Sequence, residues 1–245
     1  MAWTFSKRDL FFRCKKSWHQ RYVEKRRTPK TEPMMIGIGA DEILERIVAA
    51  RMDGTLAKPS EIPAFMNTLI DDVVDLDGVI TSPKQSAAWI IEHGMQGALL
   101  PVLKRMKGCK VSTQEQLYFD DRWNLTKQRP GEHIGAFKNR SVYGGDLDVL
   151  ILDGNRAYVP DWKSGKSRWS KPRQVHEYMA LVMAALPEIE HAEASLVWLA
   201  ENKIEDCGTM NRKEAAKLRK EIEREAAEIA ACTDFSCDGC RECQS

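Results

Sequence analysis

The chain has no long apolar run, because none of its hydrophobic stretches approaches the roughly 18–20 residues that a membrane-spanning helix needs. The first residues, M-A-W-T-F-S-K-R-D-L-F-F-R-C, also lack the apolar core and the cleavage site of a secretory signal peptide. Both absences argue against a membrane protein or a secreted protein. We therefore expect no contact with membranes and a cytoplasmic location.

Histidine is scarce as well, and the five histidines have no mutual spacing typical of a metal site. No internal repeat or low-complexity segment is visible, which argues against a repeat architecture. Hydrophobic residues make up 43% and charged residues 30% of the 245 positions. These fractions are typical of a globular protein with one large domain or one domain with a helical annex.

The formal net charge is only +1, but the charge is unevenly distributed. Ten Lys and Arg residues lie from Lys7 to Lys30, against two acidic residues, and aromatic side chains are interleaved with them. Such a segment could hold a polyanion backbone. A solvated helix face is the alternative interpretation.

Hydrophobic periodicity predicts a helical front section followed by a sheet. Helices are predicted over residues 4–26, 36–52, 62–77 and 83–106, and later over 171–186 and 211–231. Strands are predicted over 110–121, in a hairpin over 141–163 and over 191–200, with a polar loop over 122–139. This order of elements predicts an α/β protein and not a repeated Rossmann unit.

The hairpin contains the most informative stretch, Y-G-G-D-L-D-V-L-I-L-D-G-N-R-A-Y-V-P-D-W-K-S-G-K. A D-G-N turn joins two β-type runs, of which the first carries Asp148 and the second carries Asp161 and Lys163. Side chains alternate along a strand, so Asp161 and Lys163 point to one face and Trp162 to the other. Carboxylates bind Mg²⁺, and a neighbouring lysine suits phosphodiester hydrolysis, which needs an activated water and stabilised negative charge. A D-x-K tripeptide alone is also typical of a salt-bridged strand end.

Seven cysteines are present, and four of them, Cys232, Cys237, Cys240 and Cys243, lie in the last 14 residues. A cytoplasmic chain does not usually keep disulfides, so this clustering indicates metal ligation. Thiolates at short C-x-x-C spacing suit either an iron–sulfur cluster or zinc. Cys109 and Cys207 are isolated and are interpreted as small packing residues.

The ordered motifs resemble those of the PD-(D/E)XK nuclease superfamily, and specifically its RecB-like branch. One strand of that pattern carries a glycine, two residues and an aspartate, matched by Gly145-Asp146-Leu147-Asp148. The next strand carries D-x-K-[ST]-G, matched by Asp161-Trp162-Lys163-Ser164-Gly165, and the following helix carries Q-x-x-x-Y, matched by Gln174 and Tyr178. Gln174 and Tyr178 share one helix face because they are four residues apart.

The resemblance implies a restriction-endonuclease-like fold, with a central mixed sheet flanked by helices. We expect one domain over residues 1–245. It would consist of a mainly helical front section (1–108), a nuclease core (109–205), and a helix with a cysteine-rich tail that packs back on the N-terminus (206–245).

The resemblance also implies the members of an active centre. Asp148 and Asp161 would hold Mg²⁺ or Mn²⁺, Lys163 would position the attacking water, and Gln174 and Tyr178 would contact DNA or order Lys163. Asp146, two residues from Asp148, is the nearest competitor for the first carboxylate.

Two further acidic residues are candidate metal ligands. The branch has a histidine in its upstream helix where this chain has Asp41, which can still bind a hard cation. Glu115, on the strand before the hairpin, matches an acidic position common in such nucleases. Basic and aromatic residues that follow the centre suit a groove for DNA phosphates, namely Arg168, Trp169, Lys171 and Arg173.

Some members of this branch hold a [4Fe–4S] cluster with one N-terminal and three C-terminal cysteines. The corresponding ligands here are Cys14, Cys237, Cys240 and Cys243. The last gap is shorter than in the family, so Cys232 is an alternative to Cys243. A zinc site formed by the four tail cysteines is the alternative to an iron–sulfur cluster.

The predicted function is therefore that of a metal-dependent DNA exonuclease acting on ends or single strands. Its partners would be proteins of replication, repair, recombination or CRISPR adaptation. The alternative is a catalytically degenerate iron–sulfur module that binds DNA or a recombination partner without cleaving DNA.

Overall fold

A computed structural model of the protein describes residues 2–26, 29–72, 81–167, 170–237 and 240, and for 70–72 and 81–86 the backbone alone. Its helices are α1 (Phe5–Arg13), α2 (Lys15–Tyr22), α3 (Glu32–Met52), α4 (Ile62–Asp72), α5 (Thr81–His93), α6 (Leu100–Arg105), α7 (Ile134–Arg140), α8 (Pro172–Ala185) and α9 (Arg212–Ala231). Its strands are β1 (Lys110–Phe119), β2 (Tyr143–Asp153), β3 (Arg156–Lys163), β4 (His191–Trp198) and β5 (Lys203–Asn211). No helix in this part of the chain is long and apolar enough to cross a membrane.

The five strands form one mixed sheet in the order β1-β2-β3-β4-β5. All neighbouring pairs are antiparallel except β3 and β4, which run parallel and are connected through α8. Helices cover both faces of the sheet. The structure thus confirms the predicted α/β architecture with a central mixed sheet and a helical front section.

The alternation of side chains along the strands produces two separate cores. Trp162 and Tyr158 of β3 pack on one face with the apolar residues of α3 and α6, including the fully buried Ile43 and Leu44. Val159, between them, packs on the other face against α8 and α9. Residues of β3 therefore contact helices on both faces, which makes β3 a central strand.

The predicted hairpin is confirmed, with Gly154 in the left-handed region at its turn (φ 58°). Pairing between β2 and β3 covers only three residue pairs, of which the last before the strands diverge is Ile151↔Tyr158. Pro160 follows on β3 and cannot donate a backbone hydrogen bond to β2. By contrast, β3 remains paired with β4 over its whole length. The hairpin therefore opens toward Asp148 and Asp161.

The single helix predicted over residues 4–26 is wrong, because the structure divides it at Cys14. Cys14 adopts an extended conformation (φ −160°, ψ 102°) and its sulfur accepts a hydrogen bond from the N–H of Ser17, which caps α2. A residue that caps a helix has non-helical dihedral angles, so α1 and α2 cannot be continuous. The break at Cys14 has consequences for the cysteine site described below.

Three other sequence predictions need correction. The segment 122–139, predicted as a loop, contains most of α7. Residues 203–210, for which no element is predicted, form the edge strand β5 together with Asn211, the first residue of the helix predicted over 211–231. The helix predicted over 83–106 is divided by a π-helical turn, Met95–Leu99, where the N–H of Gly97 donates to Asn202 Oδ1 (2.6 Å). The end of the helix predicted over 62–77 lies outside the described residues.

A buried ion-pair network connects α1 to α8 and α9. Arg8, only 2% exposed, donates from Nη2 to Glu177 of α8, from Nε to Glu225 of α9 (3.0 Å) and from Nη1 to the carbonyl oxygen of Trp3 (2.8 Å). Arg173 also donates to Glu177 (3.1 Å) and to Glu225 (3.1 Å). Charges taken out of water are tolerated only when they are paired in this way, so the network restricts how α1 can sit on α8.

We expect Arg8→Met to destabilise the protein strongly, because it leaves the buried Glu177 with only one cationic partner. Breaking a buried ion pair costs about 3–5 kcal/mol. Urea unfolding monitored by circular dichroism would measure the loss. Glu42→Gln, which removes a half-buried pair with Arg46 on α3, is the control and should cost about 0.5 kcal/mol or less. Equal losses for the two variants would contradict the assigned role of Arg8.

Candidate active site

The open end of the β2–β3 hairpin brings Asp148 and Asp161 together. Asp148 reaches across the gap between the strands, and its Oδ2 accepts a hydrogen bond from the backbone N–H of Trp162 (2.8 Å). This bond replaces the ladder bonds that end at Tyr158. It also places the Asp148 carboxyl group beside the residue that precedes Trp162, which is Asp161.

Asp161 is the most buried acidic side chain of the centre, with 2% exposure. Its Oδ2 is in ion-pair contact with Lys163 but has no hydrogen bond of normal geometry to any described group. Burial raises the pKa of Asp161 above its ordinary value, and the charge of Lys163 opposes that rise. A buried carboxylate oxygen without a full set of donors is the kind of group that a cation stabilises.

Asp41 joins these two aspartates from α3. Burial, followed by the negative charge of Asp161, raises the pKa of Asp41 to about 6. The pKa of Asp148 is also raised, first by burial and then by the charges of Asp161 and Asp41. The sequence placed Asp41 more than 100 positions before Asp148, and the packing of α3 against the sheet brings the two into one electrostatic cluster.

The donor set fits a divalent cation. Burial raises the pKa of all three carboxyl groups, and the charge of Asp161 raises the pKa of Asp41 and of Asp148 further, so negative charge is unfavourable at this place. One lysine, Lys163, offsets only part of that charge. Mg²⁺ and Mn²⁺ prefer carboxylate oxygens, so Asp41, Asp148 and Asp161 are the residues that would hold such an ion.

Lys163 is held in place by α8. Its Nζ donates to Gln174 Oε1 (3.2 Å), and Gln174 Nε2 in turn donates to the hydroxyl oxygen of Tyr178 (2.8 Å). Burial opposes the positive charge of Lys163, but the neighbouring carboxylates raise its pKa, so it stays protonated. The predicted Gln174 and Tyr178 thus form a hydrogen-bonded chain that ends on Lys163.

Gly145 allows α8 to approach β2 this closely. A Cβ atom at this position would lie 2.8 Å from the ring of Tyr178, which is shorter than any normal contact. The glycine of the motif is therefore required by packing against Tyr178, in addition to its place before Asp148.

Asp146 has partners of its own. Its carboxylate accepts hydrogen bonds from Lys138 Nζ of α7 (2.7 and 2.9 Å) and from the hydroxyl of Tyr118 (3.1 Å). Asp148 instead contacts Trp162 and is coupled electrostatically to Asp41 and Asp161. Of the two aspartates on β2, Asp148 is the one that lies in the carboxyl cluster.

The other predicted site residues are not brought into the cluster. The side chain of Glu115 makes no hydrogen bond or ion pair with the residues that the structure describes. It lines a groove together with Lys127 and Phe137. Lys171 pairs with Asp9 (2.7 Å), and Arg173 belongs to the network around Glu177. Arg168 and Trp169 lie outside the described residues.

Three of the predicted cysteines meet at the junction of the N- and C-terminal segments. The sulfur atoms of Cys14, Cys237 and Cys240 all lie within 4.8 Å of one another. The extended Cys14 between α1 and α2 is buried, and Phe235 stacks on Trp18 (5.9 Å), which holds the tail against α2. Three thiols at this separation fit a thiophilic metal or cluster.

The two remaining tail cysteines differ in their placement. Cys232 lies outside the group of three, at the end of α9, and its thiol donates to the carbonyl oxygen of Asp234 (3.1 Å). Cys243 lies outside the described residues. The group of three is therefore the part of the predicted ligand set that the structure brings together.

The sequence analysis did not identify Glu177 as the buried member of an ion-pair network beside the active centre. It also did not identify the ion pair of Lys138 with Asp146. Glu177 stands next to Tyr178 among apolar residues (E-Y-M-A-L-V-M), and a charged residue inside such a run was a usable signal of a buried ion pair. Lys138 offered no comparable signal, since its contact with Asp146 depends on α7, which was not predicted.

A family model of the PD-(D/E)XK nuclease superfamily matches residues 2–245 of the chain. No curated protein matches the chain. The match covers nearly the whole sequence and therefore includes both the carboxyl cluster and the cysteine group.

The raised pKa of Asp41 predicts a stability that falls as pH rises in the absence of metal. An aspartate in the unfolded chain ionises near pH 4, whereas Asp41 in the folded protein ionises near pH 6, so the folded state binds more protons in between. The contribution of Asp41 to the free energy of unfolding should therefore decrease from about pH 4 to pH 6 and stay constant above pH 6.

Asp41→Asn should remove this contribution and stabilise the metal-free protein at pH 7 by about 1–2 kcal/mol, allowing for the partial exposure of the side chain. Urea unfolding at pH 4.5 and pH 7 would measure it. Glu45→Gln on the same helix is the control and should keep the wild-type pH dependence. A destabilised Asp41→Asn at pH 7 would contradict the electrostatic interpretation.

Proposed function

Since the chain belongs to the PD-(D/E)XK nuclease superfamily, we propose that it is a divalent-metal-dependent DNA exonuclease of the RecB-like branch. Enzymes of the superfamily use divalent metals, and a nuclease function follows from membership. The observation that carries the proposal is the convergence of Asp41, Asp148 and Asp161 with Lys163 at the open end of the hairpin.

The three carboxylates would hold the cation and thereby fix the position of the scissile phosphate. A divalent cation bound there supplies Lewis-acid stabilisation of negative charge and an acidified water molecule. In the hydrolysis, the water oxygen would bond to phosphorus and the bond from phosphorus to one bridging oxygen would break. The attacking water would lose a proton to solvent, and the leaving oxygen would take one up from solvent. Lys163 is charged and would orient the attacking water or offset the negative charge that develops on the phosphate.

Gln174 and Tyr178 would act through Lys163. The chain of hydrogen bonds from Tyr178 to Gln174 to Lys163 supports a positioning role in preference to direct DNA contact. A lysine with four rotatable side-chain bonds needs such support to stay directed at one point.

Asp41 stands where the branch usually has a histidine, and its carboxylate makes the proposed ligand set entirely oxygen. Such a set favours hard cations, so we infer a preference for Mg²⁺ and Mn²⁺ over softer metals. We propose Glu115 as an accessory ligand on the sequence pattern alone; in the structure its side chain lines a groove with Lys127 and Phe137.

For the cysteine site we propose a [4Fe–4S] cluster with Cys14, Cys237 and Cys240, and with Cys243 as the fourth ligand. The separation of three sulfur atoms supports this assignment, as does the position of Cys232 outside the group. The cluster would be structural, because it lies between α2 and the tail and not among the carboxylates. Zinc is the competing occupant.

We further propose that residues 1–245 act as one domain in the cytoplasm, in replication, repair, recombination or CRISPR adaptation. The proposed DNA contacts include Arg168, Trp169, Lys171 and Arg173. Lys171 and Arg173 are already engaged in ion pairs with Asp9 and with Glu177, so contact with DNA phosphates would compete with those pairs.

The nuclease proposal predicts Mg²⁺- or Mn²⁺-dependent degradation of end-labelled DNA by the wild-type protein. Asp161→Ala and Lys163→Ala should each lower the rate by about 10²-fold or more, because each removes charge stabilisation at the reacting phosphate. Glu188→Gln, at an exposed position after α8, is the carboxylate control and should leave the rate close to that of the wild type. A linear and a circular substrate compared side by side would show whether ends are required.

Undiminished cleavage in both alanine variants would refute the assigned centre. Wild-type protein that binds DNA without cutting it under either metal would favour the alternative function. That alternative is a catalytically degenerate DNA-binding module, for which Asp41 in place of histidine is the supporting observation.

The cluster proposal predicts a brown protein after anaerobic purification, with broad absorption near about 400 nm and about four iron atoms per chain. Cys14→Ser, Cys237→Ser and Cys243→Ser should each lose most of the iron, whereas Cys232→Ser and the isolated Cys207→Ser should retain it. A colourless protein that contains zinc would overturn the cluster assignment and leave the carboxyl centre unaffected.

A further inference from the structure

Two lysines beside the carboxyl cluster have no role in the reaction proposed above. Lys138 of α7 and Lys7 of α1 come from elements far apart in the sequence and lie close enough that the charge of Lys138 acts on Lys7. Lys138 Nζ lies over the ring of Tyr118 (5.1 Å), and Lys7 Nζ donates to the carbonyl oxygen of Ala2 (2.6 Å), which packs with the same tyrosine. The two ammonium groups therefore share one small surface.

This arrangement is electrostatically unfavourable without a further anion. Burial, and then the charge of Lys138, lowers the pKa of Lys7 to about 8. Asp146 neutralises Lys138, whereas Lys7 has no carboxylate partner among the described residues. Its Nζ donates to the carbonyl oxygen of Ala2 and lies over the ring of Tyr22 (5.6 Å), and neither group carries a negative charge. A pair of lysines that share a single counter-ion retains capacity for a second one.

The position of this pair relative to the active centre suggests which anion it takes. Asp146, the partner of Lys138, precedes Asp148 by two residues on β2, a distance of about 7 Å along the strand. A DNA strand whose scissile phosphate lies at Asp148 and Asp161 approaches three carboxyl groups that repel it. A cationic site alongside would hold the strand against that repulsion.

We propose that Lys7 and Lys138 form a phosphate-binding subsite that holds the DNA strand next to the scissile phosphate, with Asp146 as the counter-ion that the phosphate displaces from Lys138. This inference rests on the proposed nuclease function for the identity of the strand. It assigns Asp146 a role in DNA binding, in place of a role as metal ligand.

The subsite makes predictions of opposite sign for neighbouring residues. Lys7→Met and Lys138→Met should each weaken the binding of a fluorescein-labelled single-stranded oligonucleotide about fivefold at 0.1 M salt, because each loses one phosphate contact. The slope of log K against log salt should become less negative by about 0.7 for each variant. Asp146→Asn should tighten binding instead, since Lys138 then has no competing carboxylate.

Fluorescence anisotropy of the full-length, anaerobically purified protein, without added divalent cation, would measure these affinities between 50 and 300 mM KCl (about the range over which such slopes are resolved). Lys104→Met, an exposed lysine of α6, is the matched control and should leave the slope unchanged. Lys7→Arg and Lys138→Arg keep the positive charge and should keep the wild-type salt slope. If a methionine variant fails to fold, the arginine variants still test the proposal, because a changed slope in either would contradict it.

Salt slopes of both methionine variants equal to that of Lys104→Met would overturn the proposal, as would weaker binding by Asp146→Asn or no binding by the wild type. Because no cleavage is measured, the test is separate from the test of the nuclease centre. If the variants show the predicted salt slopes but the wild-type protein leaves DNA intact with Mg²⁺ and Mn²⁺, the phosphate-binding subsite is supported and the exonuclease proposal is refuted.

Discussion

Burial of three neighbouring carboxyl groups is the constraint around which the rest of this molecule is arranged. Burial is the largest cause that raises the pKa of Asp41, Asp148 and Asp161, and the charge of Asp161 raises the pKa of the other two further. The free energy that keeps the three groups together comes from α3 packed on one face of the sheet and α8 on the other. Such a concentration of carboxylates lowers the stability of the metal-free protein, and a cation bound among them would offset that loss.

The ion pairs around Arg8 and Glu177 connect this centre to the cysteine site. Glu177 is adjacent to Tyr178, and the Arg8 that binds it lies on the helix that ends at Cys14. Displacement of α1 would remove one cationic partner from the buried Glu177 and would change how α8 packs against the sheet. Through Gln174, that change would reach Lys163. The carboxyl cluster and the cysteine site are therefore mechanically linked through α1 and α8.

The sequence was sufficient to predict the structural features that depend on residues close together in the chain. Turn chemistry at Gly154 and strand alternation were sufficient to bring Asp161 and Lys163 to one face, and helical spacing was sufficient for Gln174 and Tyr178. The sequence-based predictions were wrong or incomplete for elements whose structure depends on contacts between distant parts of the chain. The exposed edge strand β5 has little apolar alternation, and α7 has only seven residues, one of which is a glycine. The break at Cys14 reflects a capping bond and the meeting of distant cysteines. The partners of Asp146 depend on α7, so they could not be predicted without it.

The pairing of Arg8 with Glu225 spans 217 positions of the chain. Closing so long a loop is entropically costly, and the contact contributes nothing until both partners exist. During synthesis on the ribosome, α1 and α2 emerge well before their buried partners on α8 and α9 and before the sulfur atoms that meet Cys14. These two helices must therefore remain without those contacts until α9 and the cysteine tail have been made.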